Sequence, residues 1–144
     1  MNRIYVGSDH AGYVLKEMIK TYIAGLGYEA IDSGCFSEES CDYPNFAQNV
    51  CKKIQNSADG LGILVCGTGI GMSMAANRFK GIRAALCANE YQARMSRAHN
   101  DANVLCLGSR VIGQDLALSI IEVWLKTQFE AGRHQRRVNI IESF

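Results

Sequence analysis

The 144-residue sequence lacks an excess of charge: 15 lysines and arginines stand against 14 acidic residues, giving a net charge of +1. It contains no long basic run, so binding of nucleic acid through a broad electrostatic surface is not expected. It also lacks any stretch near the roughly 20 apolar residues that span a membrane. Residues 1–7 resemble the start of a strand rather than a signal peptide, because their apolar run is short. These absences predict a cytoplasmic protein that has no contact with membrane or nucleic acid.

The six cysteines lack a CxxC pair and any spacing typical of zinc ligands. Free thiols of this kind fit a reducing compartment. Cys51, Cys87 and Cys106 fall in apolar periodic segments, which predicts that they are small buried hydrophobic residues. Cys35 and Cys41 fall in a polar loop and carry no predicted role. The sequence therefore predicts no metal site.

The length of the chain and its 48% hydrophobic composition suit one domain, residues 1–144, with one core. Strand and helix patterns alternate five times, with no repeat, linker or low-complexity tract. The predicted strands cover residues 3–8, 28–32, 61–66, 81–87 and 102–107. This alternation predicts an α/β fold: a Rossmann-like three-layer αβα sandwich around a five-stranded parallel sheet.

Helices are predicted where apolar residues recur at spacings of three and four. Asn89 and Gln92 form a capping-box pattern at the start of one helix, and Pro44 suits the first turn of another. Gly27 and Gly132 are predicted to end helices. The predicted helices cover residues 14–26, 44–54, a segment after Asn89, 116–129 and 133–142.

The stretch from residue 61 to residue 77 carries the most chemical information. A continuous apolar run ends at Cys66, and Gly67, Gly69 and Gly71 follow before a segment that can be helical. The pattern predicts a buried strand, a tight loop and the start of a helix. Ligands of parallel sheets bind at the carboxyl ends of strands, so the thiol and the backbone N–H groups of the loop would share one small volume.

Four interpretations of this loop compete. A dinucleotide site needs GxGxxG after the first strand, whereas GxGxG follows the third strand here, and a Walker loop needs a lysine that is absent. A phosphatase of the CxxxxxR type needs arginine where Met72 stands. In the plainest interpretation Cys66 merely ends a strand and the glycines merely turn the chain. That interpretation is weakened because the glycines would expose N–H groups beside the sulfur.

A thiol beside a helix N-terminus can act as a base. Its pKa can fall from about 8.5 into the range of roughly 3.5–7.5. General base catalysis is worth roughly 10²–10⁴ in rate, and an N–H donor to a developing oxyanion on the order of 10²–10³. This combination suits abstraction of a proton next to a carbonyl group.

A second set of candidate residues is cationic and lies near the end of the chain. Arg133 and Arg137 share one helix face at a spacing of four, and Arg110 follows a strand. Two arginines on one face can bind phosphate through forked hydrogen bonds. A solvated basic tail is the alternative, but apolar residues predict that the terminal helix docks on another surface: Val138, Ile140 and Ile141.

Two further polar groups follow regular elements. His99, Asn100 and Asp101 come at the end of a helix, and Asp9 and His10 follow the first strand. A ligand rich in hydroxyl groups would suit them. A structural histidine and a helix cap by Asp9 are the alternatives, and a cap could coexist with a ligand role.

Eight short motifs, in order along the chain, resemble one family: residues 7–12 (GSDHAG), 42–44 (DYP), 66–71 (CGTGIG), 75–79 (AANRF), 81–84 (GIRA), 96–101 (SRAHND), 108–110 (GSR) and 132–135 (GRHQ). The sequence resembles the sugar-phosphate isomerases that comprise ribose-5-phosphate isomerase B and the galactose-6-phosphate isomerase subunits. The resemblance extends from the first strand to the last helix.

The resemblance implies interconversion of ribose 5-phosphate and ribulose 5-phosphate without metal or cofactor. It implies that Cys66 is the base and that His99 assists opening of the sugar ring. It also implies a homodimer or homotetramer whose active sites combine two subunits, which would give the terminal helix its docking surface. The remaining implied site residues are Thr68, Gly67, Gly69, Ile70 and Gly71 at the enediolate, Asp9 and Asn100 on sugar oxygens, and His10, Arg110, Arg133 and Arg137 on the phosphate.

One branch of the family carries a glutamate at the end of the glycine loop in place of the cysteine. Here Ile70, Gly71 and Met72 offer no carboxylate, so the sequence resembles the cysteine branch. Hexose 6-phosphate remains an alternative substrate, and a non-catalytic module that binds phosphosugars is an alternative function. A thiol-redox protein is disfavoured because no second cysteine lies near Cys66 in the sequence.

Overall fold

The computed structural model describes residues 2–144. Its sheet is parallel throughout, in the order β2-β1-β3-β5-β4. The predicted five-stranded parallel sheet is therefore confirmed. The strands are β1 (Arg3–Ser8), β2 (Glu29–Asp32), β3 (Leu61–Cys66), β4 (Ala84–Leu86) and β5 (Val104–Gly108).

Local sequence signals explain where several helices begin and end. Pro44 occupies the first turn of its helix. Asn89 Oδ1 accepts a hydrogen bond from the Gln92 N–H, while Gln92 Oε1 accepts one from the Ala88 N–H, so the predicted cap is confirmed. The helices are α1 (Tyr13–Gly25), α2 (Tyr43–Gln55), α3 (Ile70–Ala76), α4 (Glu90–Ala98), α5 (Gln114–Lys126) and α6 (Arg133–Glu142).

Two predicted boundaries were wrong by three residues, and several others by one or two. Strand β4 does not begin at Gly81, which has a φ of +78° that an extended strand does not allow, and the Arg83 N–H donates to the Asn103 side chain instead. Helix α5 ends at Lys126 rather than at residue 129, because Thr127 has extended backbone. Both differences arise from local backbone geometry that apolar periodicity does not report.

The core lies in two layers, one on each face of the sheet. Helices α1 and α5 bury Leu15, Ile19 and Trp124 against one face, and α4 packs on α5. Helices α2 and α3 bury Val50 and Met72 against the other face. The three-layer αβα arrangement is therefore confirmed.

The three cysteines predicted to be buried lie in this core. Cys51 and Cys106 are fully buried, and Cys87 is nearly so. Burial raises the pKa of Cys51 to about 12 and that of Cys87 to about 11. These thiols are therefore protonated near neutral pH and serve as packing residues, as the sequence predicted.

The strand order creates a crevice between β1 and β3. From β1 the chain moves outward to β2 and then returns across β1 to β3, so the connections on either side diverge at this point. Such switch points are where ligands bind in open α/β sheets. Asp9 follows β1, and its N–H donates to the carbonyl of Val65 near the end of β3. The carboxyl ends of these two strands therefore lie side by side.

Helix α6 and the residues that follow it leave apolar side chains exposed. His134 and Val138 are its buried residues, whereas Ile140 and Ile141 are about half exposed and Phe144 is fully open to solvent. This apolar surface agrees with a helix that docks on a second chain, but docking stays a prediction. Within residues 2–144, no helix is long and apolar enough to cross a lipid bilayer.

A partly buried ion pair ties α1 to the end of β2. The side chain of Lys16 is fully buried, and its Nζ lies 2.7 Å from both carboxylate oxygens of Asp32. Burial alone would raise the pKa of Asp32. Hydrogen bonds from Lys16, Lys20 and the Gly34 N–H outweigh that effect and hold the pKa below its ordinary value. Folding therefore favours the charged carboxylate.

Replacing Asp32 by asparagine is expected to lower the free energy of unfolding by about 3 kcal/mol at neutral pH, since Lys16 would lose its main partner. Because the folded pKa is lowered, the contribution of Asp32 is present above the unfolded pKa of about 3.9 and is lost as pH falls through the folded pKa. Urea unfolding of both proteins between neutral and acid pH measures this. Asp59→Asn, an exposed matched change, should have little effect. An equal loss at every pH would contradict the ion-pair explanation.

Candidate active site

A cleft of about 400 Å³ opens at the carboxyl ends of β1 and β3. It is lined by Asp9, Tyr43, Cys66, Gly67, Thr68, Ile70, Gly71 and Met74. Two larger hollows, of about 680 and 660 Å³, lie around residues 80–83 on the opposite edge of the sheet, and neither includes Cys66. The small cleft therefore gathers the thiol, a carboxylate and the glycine loop that the sequence placed together.

Cys66 is the last residue of β3, and its side chain is almost entirely buried at the base of the cleft. The Gly69 N–H donates to Cys66 Sγ at 3.1 Å. Gly69 has a φ of +78°, and a Cβ there would lie 2.5 Å from Leu86 Cδ1, so the turn requires glycine. The loop therefore places a backbone N–H donor directly on the Cys66 sulfur.

The other N–H groups of the loop are only partly available to a ligand. The Ile70 N–H donates to Thr68 Oγ1 at 3.2 Å, and the Gly69 N–H is engaged by the sulfur. Two of the donors predicted to form an oxyanion site therefore have partners within the loop itself. The Thr68 side chain is exposed, and its hydroxyl proton remains a donor for a ligand oxygen.

Asp9 and His10 are both held by backbone contacts. Asp9 Oδ1 accepts a hydrogen bond from the Gly12 N–H at 3.1 Å, so it supports the turn before α1 while its carboxylate lines the cleft. His10 Nδ1 accepts the Cys41 N–H at 3.2 Å, which leaves the proton on Nε2. The N-cap of α1 is Gly12, so Asp9 supports the turn before the helix rather than capping the helix itself, and its ligand role stays a prediction. His10 presents an N–H donor from its other nitrogen.

Arg110 brings a positive charge to the same loop. Its N–H donates to the Gly67 carbonyl at 3.0 Å, while the Ser109 N–H donates to the Cys66 carbonyl at 2.9 Å. The guanidinium group lies beside Gly67, since a Cβ on that glycine would be 3.5 Å from Arg110 Nη1. The exposed Arg110 side chain therefore borders the region of Cys66.

The structure places the other predicted site residues elsewhere. His99 caps the end of α4, from which the chain enters the amino end of β5. Its imidazole stacks on that of His134 in α6, with ring centroids 4.1 Å apart. The far end of α6 is held by an ion pair of 2.6 Å between Glu142 and Arg83, which precedes β4. Helix α6, with Arg133 and Arg137, is thus anchored at both ends to the amino edge of the sheet.

The predicted site therefore falls into two groups within one chain. The Cys66 group lies at the carboxyl edge: Asp9, His10, Cys66, Gly67, Thr68, Gly69, Ile70, Gly71 and Arg110. The His99 group lies at the amino edge: His99, Asn100, Arg133 and Arg137. Strands of five or six residues, at about 3.3 Å each, separate these edges by roughly 15–20 Å. One small sugar phosphate cannot span that distance, so one chain alone does not unite the two groups.

Beside the His99 group, the Glu130 carboxylate lies close to two histidines, His99 and His134. Glu130 Oε1 lies 3.8 Å from His99 Nε2 and 3.7 Å from His134 Nε2. Burial lowers the pKa of His134, and the nearby charges of His99 and Arg133 act in the same direction against the opposing effect of Glu130. Arg133 and Arg137 are exposed on the surface of α6.

Sequence reasoning missed two residues of the cleft, Tyr43 and Met74. A Cβ on Gly71 would approach the Tyr43 ring to within 2.6 Å, so glycine at this position admits the ring over the loop. The DYP motif at 42–44 was the available signal, because it places an aromatic ring at the start of α2. Periodicity could not reveal Met74, since its neighbours suit an ordinary helix face.

Comparisons with known proteins agree on one family. The model of the Ribose/Galactose Isomerase family matches residues 4–141. Ribose-5-phosphate isomerase B of Escherichia coli (strain K12) is 48% identical over 141 residues, which cover 98% of this chain and 95% of that protein. The likeness therefore includes both groups of candidate site residues.

Solved structures agree with this similarity. A ribose 5-phosphate isomerase from Thermotoga maritima superposes with a TM-score of 0.95 at 51% identity, over 99% of both chains. Ribose-5-phosphate isomerase B from Mycoplasma genitalium, described with bound ribulose-5-phosphate, superposes with a TM-score of 0.94 at 43% identity, over 98% of this chain and 94% of that one. At these identities the likeness concerns sequence as well as fold.

Proposed function

This chain belongs to the ribose/galactose isomerase family, and we propose that it interconverts ribose 5-phosphate and ribulose 5-phosphate with Cys66 as the base. The single observation that carries the proposed chemistry is the buried Cys66 sulfur, which accepts the Gly69 N–H at the base of a cleft. Residues 1–144 would act as one isomerase domain. The six free cysteines suit a reducing cytoplasm.

The reaction needs one proton to move between neighbouring carbons. In the open-chain aldose, the Cys66 thiolate takes the proton from C2, the electron pair forms the C1–C2 double bond, and the carbonyl oxygen becomes the enediolate oxygen. The thiol then returns the proton to C1 as the carbonyl forms at C2. Transfer of the hydroxyl proton from O2 to O1 completes the balance. The Thr68 hydroxyl and the loop N–H groups would stabilise the enediolate oxygens.

The remaining roles need residues from both groups. His10 and Arg110 would bind the phosphate together with Arg133 and Arg137, while His99 would assist ring opening. Asp9 and Asn100 would hold sugar hydroxyls. Because the His99 group lies at the far edge of the sheet, it would be supplied by a second copy of the chain. We therefore infer a homodimer, or a homotetramer built from such dimers, with shared sites.

A panel of aldose phosphates tests the substrate. Ribose 5-phosphate should be isomerised faster than galactose 6-phosphate or allose 6-phosphate, and solvent deuterium should enter at C2 of recovered aldose. Faster turnover of a hexose phosphate would overturn the pentose assignment in favour of the hexose-phosphate alternative. Binding of every sugar phosphate without deuterium exchange would favour a non-catalytic binding module.

Replacing Arg137 by alanine should weaken substrate binding about 10–100-fold, the effect expected when a charge-assisted hydrogen bond to phosphate is lost. Turnover at saturating substrate should change little, since the phosphate is held equally in ground and transition states. Steady-state kinetics and competition by inorganic phosphate measure the two effects. Arg136→Ala is the matched control, because it removes the same charge from a neighbouring face of α6. Unchanged phosphate affinity in Arg137→Ala would mean that this surface is only a solvated basic tail.

A further inference from the structure

Three side chains outside the Cys66 cleft form a compact set of possible metal ligands. His99, Glu130 and His134 each place a possible ligand atom in one small volume, with all three atoms within 4.8 Å of one another. Two imidazoles and a carboxylate are a donor set that zinc uses elsewhere when it keeps a fourth position open. We call these residues the His99–Glu130–His134 cluster.

The backbone fixes the cluster from two directions. The Glu130 N–H donates to the Ala98 carbonyl at 3.0 Å, which ties the segment before α6 to the end of α4. Ala131 and Gly132 both have a φ of +57°, and the turn they form carries the chain into α6, where His134 lies four residues after Glu130. The side chain of His134 is 8% exposed, so its ring is held by its surroundings.

The distances are close to those that a zinc ion requires. Metal bonds of about 2.1 Å at tetrahedral angles place neighbouring ligand atoms about 3.4 Å apart. Glu130 Oε1 lies 3.8 Å from His99 Nε2 and 3.7 Å from His134 Nε2, slightly longer than that value. A small inward movement of the Glu130 side chain, which is 57% exposed, would close both distances.

The imidazole rings need one adjustment. They stack with an interplanar angle of 10°, so their nitrogen lone pairs lie in nearly parallel planes and do not converge closely on one ion. The His99 side chain is 39% exposed and can rotate about its side-chain torsions, whereas His134 is confined. Metal binding would therefore turn His99 out of its stacked position toward Glu130.

We propose that the His99–Glu130–His134 cluster binds a divalent transition metal ion, namely zinc. The bound ion would inhibit the isomerase by holding His99. The binding part of this proposal stands on the cluster alone. The inhibitory part rests on the proposed function, in which His99 assists ring opening. Mg²⁺ should not compete, because it prefers oxygen ligands and octahedral geometry.

Isothermal titration calorimetry with Zn²⁺ in a phosphate-free buffer should show one ion per chain at this site. Glu130→Gln and His134→Ala should each lower the affinity at least about 10–100-fold. Glu130→Gln changes an exposed side chain and should not disturb folding, which keeps the test valid if His134→Ala is unstable. Cys41→Ser should bind Zn²⁺ normally, and Co²⁺ bound to the full chain should show d–d bands without a thiolate charge-transfer band. Equal affinity in all variants, or a thiolate band, would overturn the site.

The activity measurement separates this proposal from the proposed function. Zn²⁺ should reduce turnover of the native protein, EDTA should restore it, and Glu130→Gln should keep its turnover at Zn²⁺ concentrations that inhibit the native protein. Binding at the cluster without loss of turnover would overturn the inhibitory part. A chain that binds Zn²⁺ here but isomerises no sugar phosphate would refute the proposed function while leaving the metal site in place.

Discussion

Replacing Cys66 by alanine is expected to lower turnover of ribose 5-phosphate roughly 10²–10⁴-fold, the usual contribution of a general base. The sulfur lies at the base of the cleft and accepts the Gly69 N–H, whereas Asp9 Oδ1 accepts the Gly12 N–H. A loss of this size is expected because alanine carries no group that can take up a proton. Steady-state assays and the rate of deuterium exchange at C2 should fall together.

The fold and phosphate affinity of Cys66→Ala should stay close to native, because alanine removes one sulfur atom from the edge of the core. Thermal unfolding and competition by inorganic phosphate check these two properties. Cys41→Ser removes a thiol from a neighbouring loop, where burial raises the pKa of Cys41, and should keep most of the turnover. Near-native turnover in Cys66→Ala would refute the assignment of the base.

The sequence predicted the central parts of the fold because their signals are local. The apolar run that ends at Cys66 matches β3, and the helix predicted after Gly132 matches α6 residue for residue. The end of β4 nearest Gly81 was mispredicted because a side chain, Asn103, takes the place of a strand partner there. Such a contact joins residues twenty positions apart and leaves no periodic pattern.

The separation of the Cys66 group from the His99 group could have been predicted from the order of the strands and helices. A residue that follows a strand lies at the carboxyl edge of a parallel sheet, whereas a residue that follows a helix lies at the amino edge. Cys66 belongs to the first kind and His99 to the second. The sequence analysis assigned both residues to one active site because of their chemistry and motifs. Their separation depends on how α4 and α6 return to the sheet, and it is the strongest structural argument for a second copy at the site.

A mixture of two variants, each with low activity at low substrate concentration, is therefore expected to regain activity there. Cys66→Ala damages the Cys66 group, and Arg137→Ala damages the His99 group. If each site takes one group from each chain, a mixed dimer carries both defects in one site and leaves the other site native. With random exchange, half of the dimers are mixed, so the mixture should recover about a quarter of native activity at low substrate concentration.

The matched control uses two defects in the same group. In a mixture of Cys66→Ala with Asp9→Asn, every site keeps one damaged Cys66 group, so no recovery is expected. Unfolding and refolding the two variants together allows the chains to exchange, and the assay is run below the substrate concentration that saturates native enzyme. If the mixture of Cys66→Ala and Arg137→Ala is only as active as the two separate variants added together, each chain must complete its own site. Helix α6 would then have to reach the carboxyl edge of its own sheet, although His134 stacks on His99 and Glu142 pairs with Arg83 at the amino edge.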